Sequence, residues 1–387
     1  MAEPVIQGWC PGALRPMPSG DGWVVRVRPR GGRLTSEQAK EIARLAKRYG
    51  NDLIDLSSRA NIQLRGVTAP TYAPLIDGLA ALGLVDENGE AEARRNIVIT
   101  PFWSADDGNQ ALATALATAL VAPDAPNLPS KFGYAIDCGP VPVLRDVSAD
   151  IRLERAVDGE LICCANGAAR GARVTADSAI DTVMALATWF LNSGGAAGGR
   201  GRMATHLAGG AVLPGHFTEV PIRSAEKYFP KPGIVTTGFL VGFEFGQMPS
   251  GTLFDIALLG AMRVTPWRMM LIEGASWVAF TPGLLWQPDD PRLRVIACTG
   301  APGCPQALQP TRALARILAQ HLPDGAVLHV SGCAKGCAHP GVAPLTLTAQ
   351  ADGFDLVRRG RAGGLPERWG LTKELLEARP EILRGVP

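Results

Sequence analysis

The sequence predicts an α+β fold in which two related units and two longer segments are arranged about a pseudo-twofold axis. One observation is a strand–helix–strand–strand pattern over residues 23–66 that occurs again over 241–274. The other is a longer stretch of mixed strand and helix patterns after each unit. We therefore expect four segments, at 1–80, 88–220, 230–290 and 291–387.

The first unit has clear boundaries. WVVRVR alternates and is rich in β-branched residues, which predicts a strand. TSEQ, from Thr35 to Gln38, is a capping-box pattern that predicts the start of a helix ending at Gly50. LIDL and NIQLR then predict two further strands.

The second unit repeats this order. VGFEFG (241–246) predicts a strand, GTLFDIALLGAM a helix, and RMMLIEG (268–274) another strand. Aligning LSSRANIQLRG with TPWRMMLIEG places Arg59 opposite Arg268. The repeat therefore predicts paired arginines that face a shared centre.

The two longer segments carry further elements. A helix is expected over 177–191 in the segment that follows the first unit, and another over 311–322 in the last segment. RLRVIAC and VLHVS predict strands that lead into two cysteine-containing loops.

Composition restricts the class of protein. Among 387 residues, 47% are hydrophobic and 19% charged, which is typical of a core-forming protein. The net charge of +2 gives no indication of a nucleic-acid or membrane partner. The first residues show no secretory pattern and no apolar run is long enough to span a membrane, so we expect a cytoplasmic protein.

Four of the eight cysteines form the pattern C-x5-C-x28-C-x3-C: Cys298, Cys304, Cys333 and Cys337. Thiolates suit iron–sulfur clusters, zinc or copper, but structural zinc sites usually have C-x2-C pairs. Glycines and prolines beside both pairs allow the backbone to bend closely around a bulky group. We interpret the pattern as a 4Fe–4S site, with buried cysteines of no ligand role as the alternative. For Cys10 and Cys138 we expect only a packing role. The same holds for Cys163 and Cys164, because adjacent residues of a strand face opposite ways and cannot easily share a metal.

ACTGAPGCPQA together with SGCAKGCAHP resembles the cluster-binding signature of the sulfite and nitrite reductases. SSRANIQLRG, RRNIVITP and LPSKFGYAI are similar to three further blocks of that family, in the same order. The resemblance implies a sulfite/nitrite-reductase-like fold with two ferredoxin-like halves. It also implies a 4Fe–4S cluster on the four cysteines, with Cys337 bridging to the iron of sirohaem.

The chain departs from the reductases at the anion site. The resemblance implies that Arg59, Arg95 and Lys131 match three of four anion-binding cations, but Gly133 stands where the second lysine is expected. In these departures the chain resembles the precorrin-3B synthase branch of the superfamily. That resemblance implies a monooxygenase of aerobic cobalamin biosynthesis, which uses dioxygen to hydroxylate precorrin-3A at the meso carbon between rings A and D with γ-lactone formation. A sirohaem-dependent sulfite or nitrite reductase is the first alternative, and an iron–sulfur carrier or zinc-stabilised binding protein the second.

A tetrapyrrole with many carboxylates requires cations with matching geometry, and arginine provides a planar fork for carboxylates. Arg59, Arg95 and Lys131 are the expected catalytic residues, and we expect them to bind the substrate as well. Arg59 and Arg65 are separated by an even offset, so both should lie on one face of a strand. Arg200 and Arg202 are better explained as part of a solvated loop. The expected substrate-binding residues are Arg59, Asn61, Gln63, Arg65, Arg95, Asn96 and Lys131.

The precorrin-3B synthase resemblance also implies a mononuclear non-haem iron beside the cluster. The five histidines contain no recognisable facial triad, and His329 and His339 lie nearest to the second cysteine pair in sequence. No strand–GxGxxG–helix unit is present, so we expect a separate reductase to deliver electrons that come ultimately from NADH.

Overall fold

The structure is a computed structural model that describes residues 11–222, 228, 230–279 and 281–384, so Cys10 lies outside the described residues. The first part contains β1 Met17–Ser19, β2 Gly22–Val27, β3 Arg33–Leu34, α1 Ser36–Tyr49, β4 Leu53–Leu56, β5 Ile62–Val67 and α2 Ala69–Ala81. The second contains α3 Gly89–Arg94, β6 Ile97–Ile99, α4 Asn109–Val121, β7 Tyr134–Asp137, β8 Ile151–Arg155, β9 Leu161–Ala165, β10 Arg170–Arg173, α5 Ala179–Asn192, α6 Met203–Ala208 and β11 Val220–Pro221.

The remaining elements repeat this division. The third part contains β12 Gly233–Val235, β13 Gly238–Phe243, β14 Gln247–Pro249, α7 Ser250–Ala257, β15 Met262–Val264, β16 Met269–Glu273 and β17 Leu284–Leu285. The fourth contains β18 Val295–Ala297, α8 Arg312–Ala319, β19 Leu328–Ser331, β20 Ala343–Gln350, β21 Gly353–Gly360, β22 Arg368–Leu371 and α9 Lys373–Ala378. This confirms the predicted α+β class, whereas the exact domain boundaries stay a prediction.

Helix α1 forms where local chemistry predicts it. The Thr35 hydroxyl accepts a hydrogen bond from the Gln38 N–H, and the Thr35 N–H donates to Gln38 Oε1, which completes the capping box. The buried face, which includes Ala39, Ile42 and Leu45, packs against α7 in one hydrophobic core. The two repeated units therefore share a core rather than having one each.

Each ferredoxin-like half contributes a strand to the sheet of the other half. The first sheet has the order β1-β2-β5-β4-β14, and the second has the order β12-β13-β16-β15-β3. Thus β14 pairs with β4, where Met248 lies opposite Ile54, and β3 pairs with β15, where Leu34 lies opposite Met262. The exchange is reciprocal, as the predicted pseudo-twofold relationship requires.

The turn between β4 and β5 in the first half, and between β15 and β16 in the second, fixes the register of the repeat. The Ser57 N–H donates to the Asn61 carbonyl, and the Thr265 N–H donates to the Met269 carbonyl. The residue before each acceptor has a positive φ: 53° at Ala60 and 62° at Arg268. Arg268 therefore corresponds to Ala60, and the predicted pairing of Arg268 with Arg59 was wrong by one residue.

The other two sheets cover the longer segments. Their orders are β11-β10-β9-β8-β7-β6 and β18-β19-β20-β21-β22, with parallel pairing from β6 to β8 and from β18 to β20. Cys163 and Cys164 lie on β9 and belong to different hydrophobic clusters, which confirms that they face opposite ways. Within the described residues, no helix is long and apolar enough to cross a membrane.

Candidate functional site

The two cysteine-containing loops meet at one edge of the last sheet. Cys298 follows β18 directly and Cys333 follows β19 by two residues, and these strands are parallel neighbours. Because the carboxyl ends of parallel strands lie at one edge, both loops emerge together. The Gly332 N–H donates to Cys298 Sγ at 3.1 Å, and the Leu308 N–H donates to the Gly332 carbonyl at 2.8 Å. The loops are thus in direct contact.

The four thiols share one electrostatic environment. All four are free of disulfide bonds. Cys337 is exposed as a whole residue, yet burial of its thiol, followed by the charges of Cys298, Cys304 and Cys333, raises its pKa to about 11. Burial and the neighbouring thiols also raise the pKa of Cys333. The raised pKa favours the neutral thiol, so a cationic group bound at this place would be needed to stabilise the thiolate form.

The four thiols are the kind of donor set that a 4Fe–4S cluster would use. Among the described residues, no three His, Cys, Asp or Glu side chains converge closely enough to bind one metal ion. In a 4Fe–4S cluster each thiolate binds a different iron, so four thiols with wider spacing are suitable. The N–H that reaches Cys298 Sγ is also the kind of contact that tunes cluster sulfurs.

The first cysteine loop is held by the first ferredoxin-like half. The carbonyl of Gly303, beside Cys304, accepts hydrogen bonds from Ser19 Oγ at 2.9 Å, from the Gly20 N–H at 3.2 Å and from Arg65 Nη2 at 3.3 Å. Three separate donors on one carbonyl fix the position of this loop.

Arg65 is at the centre of this support. It is 5% exposed and donates to Asp21 at 2.7 Å and to Asp55 at 2.9 Å. Burial alone raises the pKa of Asp21, but the hydrogen bond and charge of Arg65 outweigh burial, so the net pKa lies below the usual value. The guanidinium is already engaged with two carboxylates, and its expected role in substrate binding stays a prediction.

The second cysteine loop is held by the second half. Arg268 Nη2 donates to the carbonyl of Ala338, which follows Cys337, at 2.8 Å. Burial lowers the pKa of Arg268, whereas the charges of Asp55, Cys337 and Cys298 act in the opposite direction. Arg268 is not among the predicted site residues, although the sequence repeat predicts that it faces a centre shared with Arg59.

Arg59, Asn96 and Lys131 are brought together. Arg59 Nη2 donates to the Lys131 carbonyl at 3.1 Å. Asn96 Nδ2 donates to the carbonyls of Ser130 and Phe132 at 3.0 and 3.2 Å. These contacts fix the loop on both sides of Lys131, whose side chain is exposed.

Arg59 lies in the turn before β5, so strand alternation does not relate it to Arg65. Within β5, Gln63 accepts two hydrogen bonds from Arg26, the shorter at 2.7 Å. Asn61 is buried, and its backbone closes the turn. The expected substrate contacts of Asn61 and Gln63 stay predictions.

Arg95 lies in a separate environment. It forms a two-pronged ion pair with Asp86, at 3.0 and 2.8 Å, and donates to the Arg28 carbonyl. It lines a cavity of about 270 Å³ beside α4, together with Gly31 and Thr114. Among the described residues no hydrogen bond joins Arg95 to Arg59, Lys131 or the cysteines, so its expected catalytic role stays a prediction.

The glycine-rich loop before α6 was expected to be solvated, but its Arg202 side chain forms hydrogen bonds with other parts of the chain. Arg202 binds Asp150 at 2.9 Å and Ser148 at 3.0 Å. Asp150 also accepts a hydrogen bond from the Gly133 N–H at 3.0 Å. This loop is therefore tied to the segment that carries Lys131.

Two histidines lie beside the second cysteine loop. His329 on β19 is fully buried, and neither ring nitrogen has a hydrogen-bond partner among the described residues. Burial, with the charges of His339 and Arg268, lowers its pKa to about 4. The His329 and His339 ring centres are 5.7 Å apart. A neutral, unpartnered imidazole has the chemistry of a metal ligand, but the described residues offer no third protein ligand.

Known proteins share this fold. Residues 15–82 match the family model of the nitrite/sulfite reductase ferredoxin-like half domain. The structure of the Mycobacterium tuberculosis NirA protein superposes with a TM-score of 0.66 at 18% identity, covering 94% of this chain and 80% of that one. The fold is therefore that of the nitrite and sulfite reductases.

Sequence comparison is more specific. The precorrin-3B synthase of a Sinorhizobium species is 30% identical over 94% of this chain and 85% of its own length. The ferredoxin–nitrite reductase of Synechococcus elongatus is 24% identical over the same shares of the two chains. The chain belongs to the precorrin-3B synthase family.

Proposed function

We propose that this protein is a precorrin-3B synthase, which hydroxylates precorrin-3A at the meso carbon between rings A and D while a ring A acetate closes a γ-lactone. The observation that carries the proposal is the 30% identity to a precorrin-3B synthase over 94% of the chain. The fold shared with the reductases is consistent with it, because precorrin-3A and sirohaem are both carboxylate-rich tetrapyrroles.

The reaction balances as a monooxygenation. One atom of dioxygen enters the product and the other becomes water, which requires two electrons and two protons. In our proposal NADH is the ultimate electron source, and a separate reductase delivers the electrons.

The described residues have distinct parts in this proposal. Cys298, Cys304, Cys333 and Cys337 would hold the 4Fe–4S cluster, which supplies one-electron transfer when bound. Arg59 fixes the loop through the Lys131 carbonyl and leaves the Lys131 ammonium exposed, where it can bind a substrate carboxylate. A mononuclear iron beside the cluster and a cytoplasmic location remain predictions.

A sirohaem-dependent reductase is the second candidate, because a nitrite reductase matches over 94% of the chain. The segment at Gly133 argues against it. A Cβ at this position would lie 3.3 Å from the Asn96 carbonyl oxygen, so a lysine here would require this carbonyl to move by a few tenths of an ångström. One cation fewer weakens the binding of a small oxyanion.

The deciding experiment combines cofactor and product analysis. Protein purified without oxygen is assayed for iron, sulfide and acid–acetone-extractable pigment, and is then incubated with precorrin-3A, ¹⁸O₂ and a chemical reductant. We expect cluster absorption, no extractable tetrapyrrole, and a product that carries one ¹⁸O atom. An extractable isobacteriochlorin together with reduction of nitrite or sulfite would overturn the proposal in favour of the reductase.

A further inference from the structure

Arg268 is held in an unusual backbone conformation. Its φ of 62° lies in the left-handed region, which bulky residues rarely adopt because it is sterically strained. Gly246, with φ of 73°, packs against its side chain, and a Cβ on Gly246 would lie 2.6 Å from Arg268 Cδ. The position of this guanidinium therefore depends on two residues with positive φ, Gly246 and Arg268 itself.

This guanidinium has no carboxylate partner within ion-pair distance among the described residues. Its one hydrogen bond there goes to the Ala338 carbonyl, next to Cys337. Asp55, the carboxylate that influences it most, is already bound by Arg65 at 2.9 Å and by Gln247 at 2.7 Å, and lies 3.6 Å from Arg312. A buried cation without a counterion is costly unless an anionic group that the chain itself does not supply balances it.

Among the described residues of the charge network beside the cysteines, arginines outnumber carboxylates. Arg65, Arg268 and Arg312 all lie close to Asp55, and Asp21 is the second carboxylate of this network. Both Arg268 and Arg312 interact electrostatically with the Cys298 thiol. An iron–sulfur cluster with four thiolates carries net negative charge, and this charge grows when the cluster is reduced.

We propose that Arg268 sets the reduction potential of the cluster by stabilising its reduced form. The inference rests on the cluster assignment within the proposed function. Reduction adds one electron to the cluster, so a nearby fixed cation favours the reduced state and raises the potential. Removal of this charge makes the cluster harder to reduce.

The test is a reductive titration with dithionite, followed by the electron paramagnetic resonance signal of the reduced cluster in wild type, Arg268→Gln and Arg268→Lys. We expect the Gln variant to shift the reduction equilibrium about tenfold towards the oxidised cluster, which is about 59 mV for one electron. The Lys variant, which keeps the charge, should lie closer to wild type. Arg316→Gln is the matched control, since Arg316 on α8 is 55% exposed and pairs with Glu244.

Equal potentials in wild type and Arg268→Gln, with the same iron and sulfide content, would overturn the inference. If the Gln variant does not retain the cluster, the Arg268→His variant tests the inference in its place. Imidazole loses its charge as pH rises, so the potential of this variant should fall more steeply with pH than that of wild type, and a parallel pH dependence would also overturn the inference. A wild-type protein without iron and sulfide would instead contradict the cluster assignment itself.

Discussion

Arg268 occupies in the second ferredoxin-like half the position that Ala60 occupies in the first. Both residues have positive φ, and both precede the residue whose carbonyl closes the turn. The backbone of this turn is therefore similar in the two halves, whereas the side chains differ in charge. The two halves make different chemical contributions to a site that they share.

Each of four single Ser variants should lose the cluster or bind it much more weakly, because a neutral hydroxyl is a poor ligand for iron in such a cluster. The four positions are Cys298, Cys304, Cys333 and Cys337. Iron and sulfide analysis with visible absorption measures the loss. Cys163→Ala is the control, since Cys163 is buried in the hydrophobic core on β9. An intact cluster in all four Ser variants would refute the assignment.

Arg59→Ala should weaken the binding of precorrin-3A by about 10- to 100-fold, because hydrogen bonds to charged groups are worth roughly 1.5–3 kcal/mol. The variant also frees the loop around Lys131, whose carbonyl Arg59 now binds. Fluorescence or absorption titration under anaerobic conditions measures the dissociation constant. The cluster spectrum should stay unchanged, and Arg173→Ala on the surface of β10 should bind as wild type does.

Arg65→Met should lower the free energy of unfolding by about 3 kcal/mol, because it removes the guanidinium that pairs with the buried Asp55 and the half-buried Asp21 and leaves Asp55 only the longer ion pair with Arg312. Urea unfolding of the purified protein measures the change. The control is Arg44→Met, which removes an exposed ion pair with Glu41 on α1 and should cost less than about 1 kcal/mol. Equal stability of the two variants would show that Arg65 does not support the first cysteine loop.

Asp21 should contribute to the loss of stability in acid. Its pKa in the folded protein lies below the usual 3.8, so its contribution is present above that pH and disappears as pH falls through the lower folded value. Asp21→Asn should therefore be less stable than wild type at pH 6, and the difference should shrink towards pH 2.5. Urea midpoints across this range measure it, with the exposed Asp289→Asn as control.

His329 should make the free energy of unfolding depend on pH in a second, higher pH range. Its pKa falls from 6.5 to about 4 on folding, so between these values the unfolded chain binds a proton that the folded protein does not. Stability should be complete above pH 6.5 and decrease as pH falls towards 4. His329→Leu should flatten this slope in urea unfolding, whereas His216→Asn on the surface should not.

Local features of the fold could be predicted from the sequence. The capping box at Thr35 and the strands that lead to the cysteines depend on neighbouring residues, and the structure confirms them. The spacing of the four cysteines likewise predicts that they belong to one metal site.

Long-range relationships could not be predicted in this way. The partners of Arg65 come from β4, from the turn after β1 and from Gly303, which lies more than 200 residues away. The one-residue error that paired Arg268 with Arg59 has a physical cause, because the turn geometry and not the matching letters sets the register of the repeat. Arg59 and Arg65 lie in different kinds of backbone, so their even offset carried no information about a shared face.

The reciprocal strand exchange has a consequence for each half taken alone. A half without its partner would leave β4 or β15 as an open edge, and open edges promote aggregation. Each half therefore needs either the other half or a second copy of itself to cover this edge. A tandem repeat in one chain supplies that cover at a fixed one-to-one ratio.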